Sequence, residues 1–366
     1  MRWAVTLATF AAVISTAALS GPRWANQDLT ALHDAVAAAP KEGLTDYDAT
    51  PIADLAPGEI ADVLAETIAL KLAQDLFEGS ERVRSDRSWH IDRGSFDYST
   101  WLQEVLARHS VRTSFQALLP KDARYGGLKR AFARCGDQTG CARIAVNLDR
   151  LRAMPRDLGA RYVWVNIPAY RLDLIENDRA VASHRVIVGK PGSQTPSFQA
   201  KVTGVTINPW WNVPCSIVDE SVGKLITSNP KEAARRGYVA TKGPDGKLVV
   251  RQRPGPDNAL GRIKIEMPNP YDVYIHDTPS KDLFASPRRA FSHGCIRTED
   301  PQGLAVSLLG TGQQAQVDIL LATGVSRTLR LAQPIPVYVV YLTAESDETA
   351  GGGVATYADI YHRDPR

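Results

Sequence analysis

Residues 161–188 read RYVWVNIPAYRLDLIENDRAVASHRVIV, and over this stretch the apolar periodicity of the chain changes from helical to alternating. Short alternating runs, interrupted by the polar turn at residues 176–178, predict β-strands joined by hairpins. Further strands are predicted downstream at Lys247–Gln252, Arg262–Glu266, Asp272–His276, Gln316–Leu321 and Pro336–Thr343. The C-terminal half of the chain is therefore expected to be a largely β domain.

Upstream of this stretch the pattern is helical. Between Gly58 and Gly79 the apolar residues fall at spacings of three and four, which predicts one amphipathic helix. These residues are Ile60, Val63, Leu64, Ile68, Leu72 and Leu76. Shorter helical patterns recur at Trp101–His109 and Tyr125–Arg134. We therefore predict an α+β protein whose mostly helical N-terminal domain spans residues 28–150.

The β-rich domain is predicted to span residues 160–345. Residues 217–237 within it have a helical pattern, so an insertion at about 215–260 is expected to form a cap over one end of the sheet. Residues 346–366, which include a run of three glycines, are expected to form a C-terminal tail.

Length and composition set broad limits on the function. A chain of 366 residues with 44% hydrophobic content is long enough for about two domains, each with its own core. The 43 basic and 40 acidic residues are mixed along the chain, without the long basic run of a nucleic-acid-binding arm. No nucleic-acid partner is therefore expected.

The N-terminus has the composition of an export signal. Arg2 is followed by an uncharged run from Trp3 to Pro22, and Ala18-Leu19-Ser20 offers small residues to a signal peptidase. Residues 1–20 are therefore predicted to be a signal peptide cleaved before Gly21. An uncleaved membrane anchor is the rival interpretation, since roughly 20 uncharged residues can span a bilayer.

Export to an oxidising compartment permits disulfides among the four cysteines. Cys135 and Cys141 flank the turn-like sequence GDQTG, and this spacing suits both a short bridge and two unpaired thiols. Cys215 is expected to be a small packed side chain. There is no C-x-x-C pair and no histidine cluster at metal spacing, so no metal site is expected.

The chemistry is concentrated in YDVYIHDTPSKDLFASPRRAFSHGCIRTEDPQGLA, residues 271–305. In its opening strand His276 is predicted to point away from the apolar face, together with Asp272 and Tyr274. Nineteen residues later Cys295 lies in a tight segment just before a helix that Asp300 caps. An attacking cysteine needs a nearby imidazole or a positive field to become a thiolate, and His276 can supply the imidazole.

The neighbours of Cys295 also suit acyl chemistry. Gly294 allows a sharp turn, which would direct the N–H groups of Gly294 and Cys295 toward a developing oxyanion. Arg297 can hold a substrate carboxylate by two parallel hydrogen bonds. Spacing alone also permits a buried structural cysteine and an ordinary surface histidine.

These residues resemble the signature of the L,D-transpeptidase (YkuD-type) catalytic domain, in which a histidine precedes an S-H-G-C-[IV]-[RN] motif by somewhat under twenty residues. Residues 165–196, ending in G-x-x-x-x-x-T-P, and INPWWNVP at 207–214 are similar to other motifs of the family. AQDLFEGS at 73–80 and YADIYHRD at 357–364 are similar to the large periplasmic, YcbB-type subgroup.

The resemblance implies a role for each residue of the site. Cys295 becomes the nucleophile and His276 the general base, while the backbone near Gly294 and Cys295 becomes the oxyanion hole. His293, although adjacent to the cysteine, is expected to shape the pocket. The residues expected to bind or orient substrate are Arg297, Tyr274 and Trp211, of which Tyr274 and Trp211 also suit a purely structural role.

The resemblance also implies a substrate, a compartment and inhibitors. A periplasmic enzyme would cleave the bond between the diamino acid and D-Ala of a peptidoglycan tetrapeptide stem, form a thioester and pass it to an amine as a 3→3 cross-link. No cofactor is needed, and carbapenems are expected as covalent inhibitors. A hydrolytic L,D-carboxypeptidase-like cysteine peptidase and a catalytically silent wall-binding scaffold are the alternatives.

One feature departs from the subgroup. Only about 25 residues, from Cys135 to Gly159, join the two predicted domains, so the small peptidoglycan-binding module of the large subgroup is not expected here. Wall binding would then rest on the cleft and the helical domain, or on a wall-synthesis partner protein.

Overall fold

The structure is a computed structural model that describes residues 24–136, 138–244, 246–347 and 353–365. The predicted signal peptide therefore lies outside the described residues. The chain forms two compact units. Among the described residues, unit 1 comprises 24–40, Thr45–Leu76 and Ser95–Leu119, and unit 2 comprises Lys41–Leu44, Phe77–Gly94 and the described part of 120–365.

The helices are α1 Asn26–Ala38, α2 Glu59–Glu78, α3 Glu81–Arg84, α4 Tyr98–Ala107, α5 Val111–Ala117, α6 Ala123–Phe132, α7 Gln138–Arg152, α8 Cys215–Ile217, α9 Gly223–Ser228, α10 Pro230–Arg235, α11 Pro301–Leu309 and α12 Gln314–Thr323. A π-helical turn, Val218–Val222, joins α8 to α9, and 3-10 turns lie at Ala39–Glu42, Thr50–Ile52, Lys281–Ala285 and Thr311–Gln313. None of the helices in the described part of the chain has both the length and the hydrophobicity that a membrane crossing requires.

The strands are β1 Trp89–His90, β2 Arg161–Asn166, β3 Arg171–Glu176, β4 Arg179–Gly189, β5 Ser197–Ile207, β6 Trp211–Asn212, β7 Tyr238–Lys242, β8 Leu248–Gln252, β9 Ile263–Glu266, β10 Ile275–His276, β11 Ala290–Ser292, β12 Ile296–Thr298, β13 Arg327–Val340, β14 Ala344–Asp347 and β15 Gly353–Thr356. The α+β class predicted from the sequence is confirmed by this division into a helical region and a β-rich domain.

Unit 1 is helical, and its longest element, α2, confirms the helix predicted between Gly58 and Gly79. The predicted buried face is partly wrong. Ile60 and Val63 have exposed fractions of 83% and 56%. The buried stripe instead consists largely of alanines spaced by four, Ala61, Ala65, Ala69 and Ala73, followed by Leu76. Small side chains at this spacing let neighbouring elements approach closely. The spacing of the large apolar residues does not show that the alanine face is the buried one.

The sheet of unit 2 closes on itself. Its strand order is β5-β13-β2-β3-β4-β12-β10-β9, and β9 also pairs with β5, so the path forms a barrel. Most neighbours are antiparallel, but β10 is parallel to β12 and β13 is parallel to β2. The alternate residues of these strands fill a common core, which includes Val163, Val165, Leu172, Leu174, Val186, Val188, Ile265, Ile275, Ile296 and Val339.

Two of the predicted strands differ in the structure. Gln316–Leu321 belongs to helix α12, which buries Val317 and Leu321, four residues apart, and ends at the left-handed Gly324. The apolar run there is too short to distinguish the periodicity of a helix from that of a strand. In Asp272–His276 the strand contains Ile275 and His276 alone, because Asp272, just after the turn at residues 270–271, has a φ of +51°.

The predicted cap insertion contains strands as well as helices. Strands β6, β8 and β7 form a small sheet, and the α8–α10 segment connects β6 to β7. A separate apolar cluster holds them together, made of Trp211, Val213, Val218, Val222, Val250 and Leu260. The cap thus has its own core beside the barrel core.

Two segments that the sequence suggested were connections are packed elements. Helix α7 occupies the predicted linker, lies in unit 2 and buries Leu148 and Arg152 completely. The predicted C-terminal tail contains the end of β14 and all of β15, which pair with each other, and its Ile360 and Tyr361 belong to the barrel core. Intervening polar residues had concealed both.

Candidate active site

Two short parallel strands determine the position of the predicted base. Strand β10 pairs with β12, with Ile275 opposite Ile296 and His276 opposite Arg297. Both isoleucines are fully buried in the barrel core. Because side chains alternate along a strand, His276 and Arg297 lie together on the other face of the barrel wall.

The predicted nucleophile, Cys295, is the residue immediately before β12, and it extends the pairing of β12 with β10 by one position. The Ile296 N–H donates to the Tyr274 carbonyl oxygen at 3.0 Å, so Cys295 lies opposite Tyr274. By this register Cys295 lies on the same side of the strand pair as His276, diagonally across from it. The fold brings together two residues that are 19 positions apart in the sequence.

The thiol of Cys295 is partly buried and protonated in its resting state. It donates to the Asp272 carbonyl oxygen, with an Sγ–O distance of 3.6 Å. Burial raises the pKa of the thiol, whereas hydrogen bonds from Tyr274 and the charges of Arg297 and Lys264 act in the opposite direction. A base is therefore needed to generate the thiolate at neutral pH.

His276 is a buried, neutral imidazole, contrary to the surface position typical of a strand end. Its side chain is 4% exposed. Burial and, to a lesser extent, the neighbouring Arg297 charge lower its pKa to about 3, against the opposing effect of backbone hydrogen bonds with Asp277 and Leu260. Its Nδ1 atom is buried without a hydrogen-bond partner in the described part of the chain. This nitrogen is free to accept a proton.

Arg297 is a cation without a protein counter-charge. No carboxylate in the described ranges forms an ion pair with it, and its buried Nε has no hydrogen-bond partner among those residues. Burial lowers its pKa, while Cys295 raises it. Since an unpaired buried charge is costly, the site favours an anionic ligand that would compensate it.

Tyr274, which lies opposite Cys295, contacts Trp211 of the cap. The Trp211 Nε1–H donates to the Tyr274 hydroxyl at 3.2 Å. Burial raises the pKa of Tyr274, and the adjacent Cys295 acts in the same direction. The ring of Tyr274 lies 5.5 Å from that of His276, between centroids. Trp211 thus reaches the site from the cap through Tyr274.

His293 faces away from this chemistry. Its Nε2 lies 3.2 Å from the Lys190 Nζ and 3.0 Å from a Glu220 carboxylate oxygen. Glu220 belongs to the π-helical turn of the cap. His293 therefore connects the motif to the cap.

The turn that carries Cys295 is closed by Ser292, a residue that the sequence analysis did not single out. The Ser292 hydroxyl donates to the Cys295 carbonyl oxygen at 2.6 Å and accepts from the Gly294 N–H at 3.1 Å. Gly294 has a φ of +116°, which a residue with a side chain rarely adopts. This differs from the expected pair of oxyanion donors, because the Gly294 N–H is already used. The Cys295 N–H has no partner among the described residues.

Of the other cysteines, Cys135 and Cys141 form a disulfide with a Cα–Cα distance of 5.6 Å. Cys215 is a free, exposed thiol at the start of the cap, not the packed side chain expected from the sequence. No group of three or more His, Cys, Asp or Glu side chains in the described ranges is arranged to hold a metal ion.

Comparison with protein families identifies two regions of the chain. Residues 160–319 match the family model described as the L,D-transpeptidase catalytic domain, YkuD. Residues 18–132 match one described as a scaffold domain. A Haemophilus influenzae protein, named provisionally as an L,D-transpeptidase, is 30% identical over 240 residues, which cover 61% of this chain and 48% of the relative. The chain thus matches about half of the length of that curated relative.

Several solved structures are also similar to part of the chain. An L,D-transpeptidase from Mycobacterium smegmatis shares 12% identity with a TM-score of 0.27, covering 50% of this chain and 58% of that one. The LD transpeptidase LdtMt1 in complex with imipenem shares 14% identity with a TM-score of 0.25, covering 50% and 59%.

Proposed function

We propose that this chain is a peptidoglycan L,D-transpeptidase with Cys295 as its nucleophile, because residues 160–319 match the family model of the L,D-transpeptidase catalytic domain. The observation that carries the proposal is the shared face of the barrel wall, where Cys295, the neutral base His276 and the unpaired cation Arg297 lie together. A thiol, an acceptor for its proton and a site for a carboxylate are what acyl transfer from a peptide stem requires.

Acylation begins with the transfer of the thiol proton. The Cys295 side chain turns from the Asp272 carbonyl toward the Nδ1 of His276, which accepts the proton. The thiolate attacks the carbonyl carbon between the diamino acid and the terminal D-Ala, forming a C–S bond and placing the carbonyl electron pair on oxygen. The Cys295 N–H stabilises this oxyanion. When the C–N bond breaks, His276 returns the proton to the departing D-Ala amine, and a thioester remains.

Deacylation repeats the cycle with a new nucleophile. The side-chain amine of a neighbouring stem loses a proton to His276, attacks the thioester carbonyl and releases the Cys295 thiolate, which takes the proton back. The product is a 3→3 cross-link. Water, a free D-amino acid or an amine of a wall protein would resolve the same thioester, and water would make the enzyme a carboxypeptidase.

Arg297 links substrate binding to the strength of the base. A stem-peptide carboxylate would pair with the guanidinium, whose Nε is buried and unpartnered. In the free enzyme the Arg297 charge is one cause of the depressed His276 pKa. Neutralising that charge would raise the His276 pKa, so the imidazole would become a stronger base once substrate is bound.

We infer that the chain works in the periplasm. The signal-like residues 1–20 support export, and the Cys135–Cys141 disulfide suits an oxidising compartment. The uncleaved form of the signal segment would place the same catalytic domain on a membrane anchor. Carbapenems are proposed as inhibitors, because a strained lactam carbonyl can acylate the same thiol.

Purified tetrapeptide muropeptides test this function, with a Cys295→Ala variant as the inactive control. Cys215→Ala is the matched control, because it removes an exposed free thiol outside the site. We expect cross-linked dimers from the wild type and Cys215→Ala, and none from Cys295→Ala. Tripeptides without dimers, with an amine acceptor present, would identify a hydrolase instead, and unchanged substrate would identify a silent scaffold.

A further inference from the structure

A buried threonine forms a hydrogen bond with the backbone next to the nucleophile. The Thr195 hydroxyl donates to the Gly294 carbonyl oxygen at 2.8 Å and accepts from the Gly189 N–H at 2.9 Å. The Thr195 side chain is fully buried. One hydroxyl thus connects the motif turn to the loop that follows strand β4.

The C-terminal segment holds this threonine in turn. The Tyr361 hydroxyl donates to the Gly189 carbonyl oxygen at 2.6 Å and accepts from the Thr195 N–H at 3.2 Å. Arg363 donates to the Thr195 carbonyl oxygen at 3.2 Å and lies over the Tyr361 ring. Tyr361 is 5% exposed. The chain therefore uses residues near its end to support a turn about 70 residues earlier.

The backbone around Thr195 and Cys295 is tightly packed and held by hydrogen bonds. A Cβ atom at Gly189 would collide with the carbonyl oxygen of Ser193, so the loop closes tightly around the threonine. On the other side of the motif, Ser292 holds the Cys295 carbonyl oxygen. The peptide units before and after Cys295 are therefore each fixed by a hydroxyl.

The orientation of one peptide unit matters for catalysis. The Gly294 C=O and the Cys295 N–H belong to the same planar, trans peptide, so they point in opposite directions. When Thr195 holds the carbonyl in the protein interior, the N–H must point outward. The Gly294 N–H is occupied by Ser292, so the Cys295 N–H is the backbone donor that remains. Its direction is determined by Thr195.

We propose that Thr195 and Tyr361 are positioning residues that aim the Cys295 N–H at the oxyanion of acyl transfer. The inference rests on the proposed function, since it assumes that Cys295 attacks a carbonyl. Neither residue touches substrate. Each acts through a hydrogen bond, Thr195 on the Gly294 carbonyl and Tyr361 on Thr195 and Gly189.

The test separates attack on a carbonyl from the reactivity of the thiol. All variants carry Cys215→Ala, which leaves Cys295 as the single free thiol. Acylation by a carbapenem needs an oxyanion donor, whereas alkylation by iodoacetamide needs the thiolate alone. Both rates are followed by intact-mass spectrometry on protein whose folding is checked by thermal unfolding. Tyr357→Phe is the control in the same segment, because its hydroxyl contacts Glu345 and not this loop.

We expect Thr195→Val to slow acylation about 100-fold, the lower end for loss of an oxyanion donor, with alkylation changed less than about twofold. Thr195→Ser should restore acylation, because it keeps the hydroxyl. Tyr361→Phe should slow acylation about tenfold, since a misplaced donor loses part of its effect. Tyr357→Phe should change neither rate.

Equal losses in both rates, or no loss in either, would overturn the inference. If Thr195→Val fails to fold, the ratio of the two rates in Tyr361→Phe decides the question by the same criterion. A parent enzyme that no carbapenem acylates would overturn the proposed function and this inference with it. A normally acylated parent with an unchanged Thr195→Val rate would overturn the inference alone.

Discussion

Acidification should destabilise unit 2 through His276. The folded-state pKa of this residue is about 3, against 6.5 for an unperturbed histidine. Between these values the unfolded chain binds a proton that the folded chain does not, so the free energy of the unfolded state falls relative to that of the folded state as the pH falls. The stabilisation is complete above pH 6.5 and is lost below it.

The size of the effect follows from the two pKa values. The free energy of unfolding should fall by about 1.4 kcal/mol for each pH unit below 6.5. Between pH 7.5 and pH 5.0 the loss is about 2 kcal/mol, since only the 1.5 units below 6.5 contribute. The loss continues toward pH 3, where the folded protein also binds the proton.

Urea unfolding of the wild type and of His276→Gln at pH 7.5 and pH 5.0 measures this loss. Other ionisable groups cancel when the two proteins are compared, so the wild type should lose about 2 kcal/mol more than the variant.

Equal pH dependence of the wild type and His276→Gln would refute the buried neutral base. So would a histidine NMR resonance, assigned to His276 by its absence from the variant, that titrates near pH 6.5.

Three further predictions concern the site and its surroundings. His276→Ala should remove most acylation by a carbapenem, whereas His293→Ala should retain a measurable part, and the reverse order in intact-mass kinetics would exchange their roles. Arg297→Gln should raise KM for the tetrapeptide about tenfold or more, because one charge-assisted hydrogen bond is lost; an unchanged KM would remove Arg297 from substrate binding. Cys135→Ser should leave turnover largely intact, and complete loss of turnover in a folded variant would give the disulfide region a larger role.

The sequence was most informative where a recognisable motif lay next to a clear apolar periodicity. The S-H-G-C motif and the histidine before it predicted that Cys295 and His276 act together, and strand alternation predicted that His276 points away from the apolar face. The register of β10 against β12 shows that face. The same reasoning found the hairpins after Arg161.

What the sequence could not show depends on long-range burial. A polar residue at a strand end gives no sign that it will be 4% exposed, so the depressed pKa of His276 was not predictable. The unpaired state of Arg297 likewise depends on the absence of a carboxylate from the neighbouring strands of the described chain.

Other differences arise from competing local patterns. The Gly294 N–H donates to the Ser292 hydroxyl and so is not available to a substrate. The spacing of the motif does not show whether a side chain forms such a local hydrogen bond. The support from Thr195 and Tyr361 links segments 166 residues apart. Nothing in the sequence around Thr195 or Tyr361 indicated that these two residues would contact each other.

The central claim is that Cys295 carries the acyl group. The most direct measurement is intact-mass spectrometry of the enzyme mixed with a tetrapeptide stem and quenched during turnover, followed by mapping of the modified peptide. We predict an increase equal to the stem minus its terminal D-Ala, located on Cys295, present in Cys215→Ala and absent from Cys295→Ala. An enzyme that turns over substrate without this adduct, or that carries it on another residue, would contradict the account.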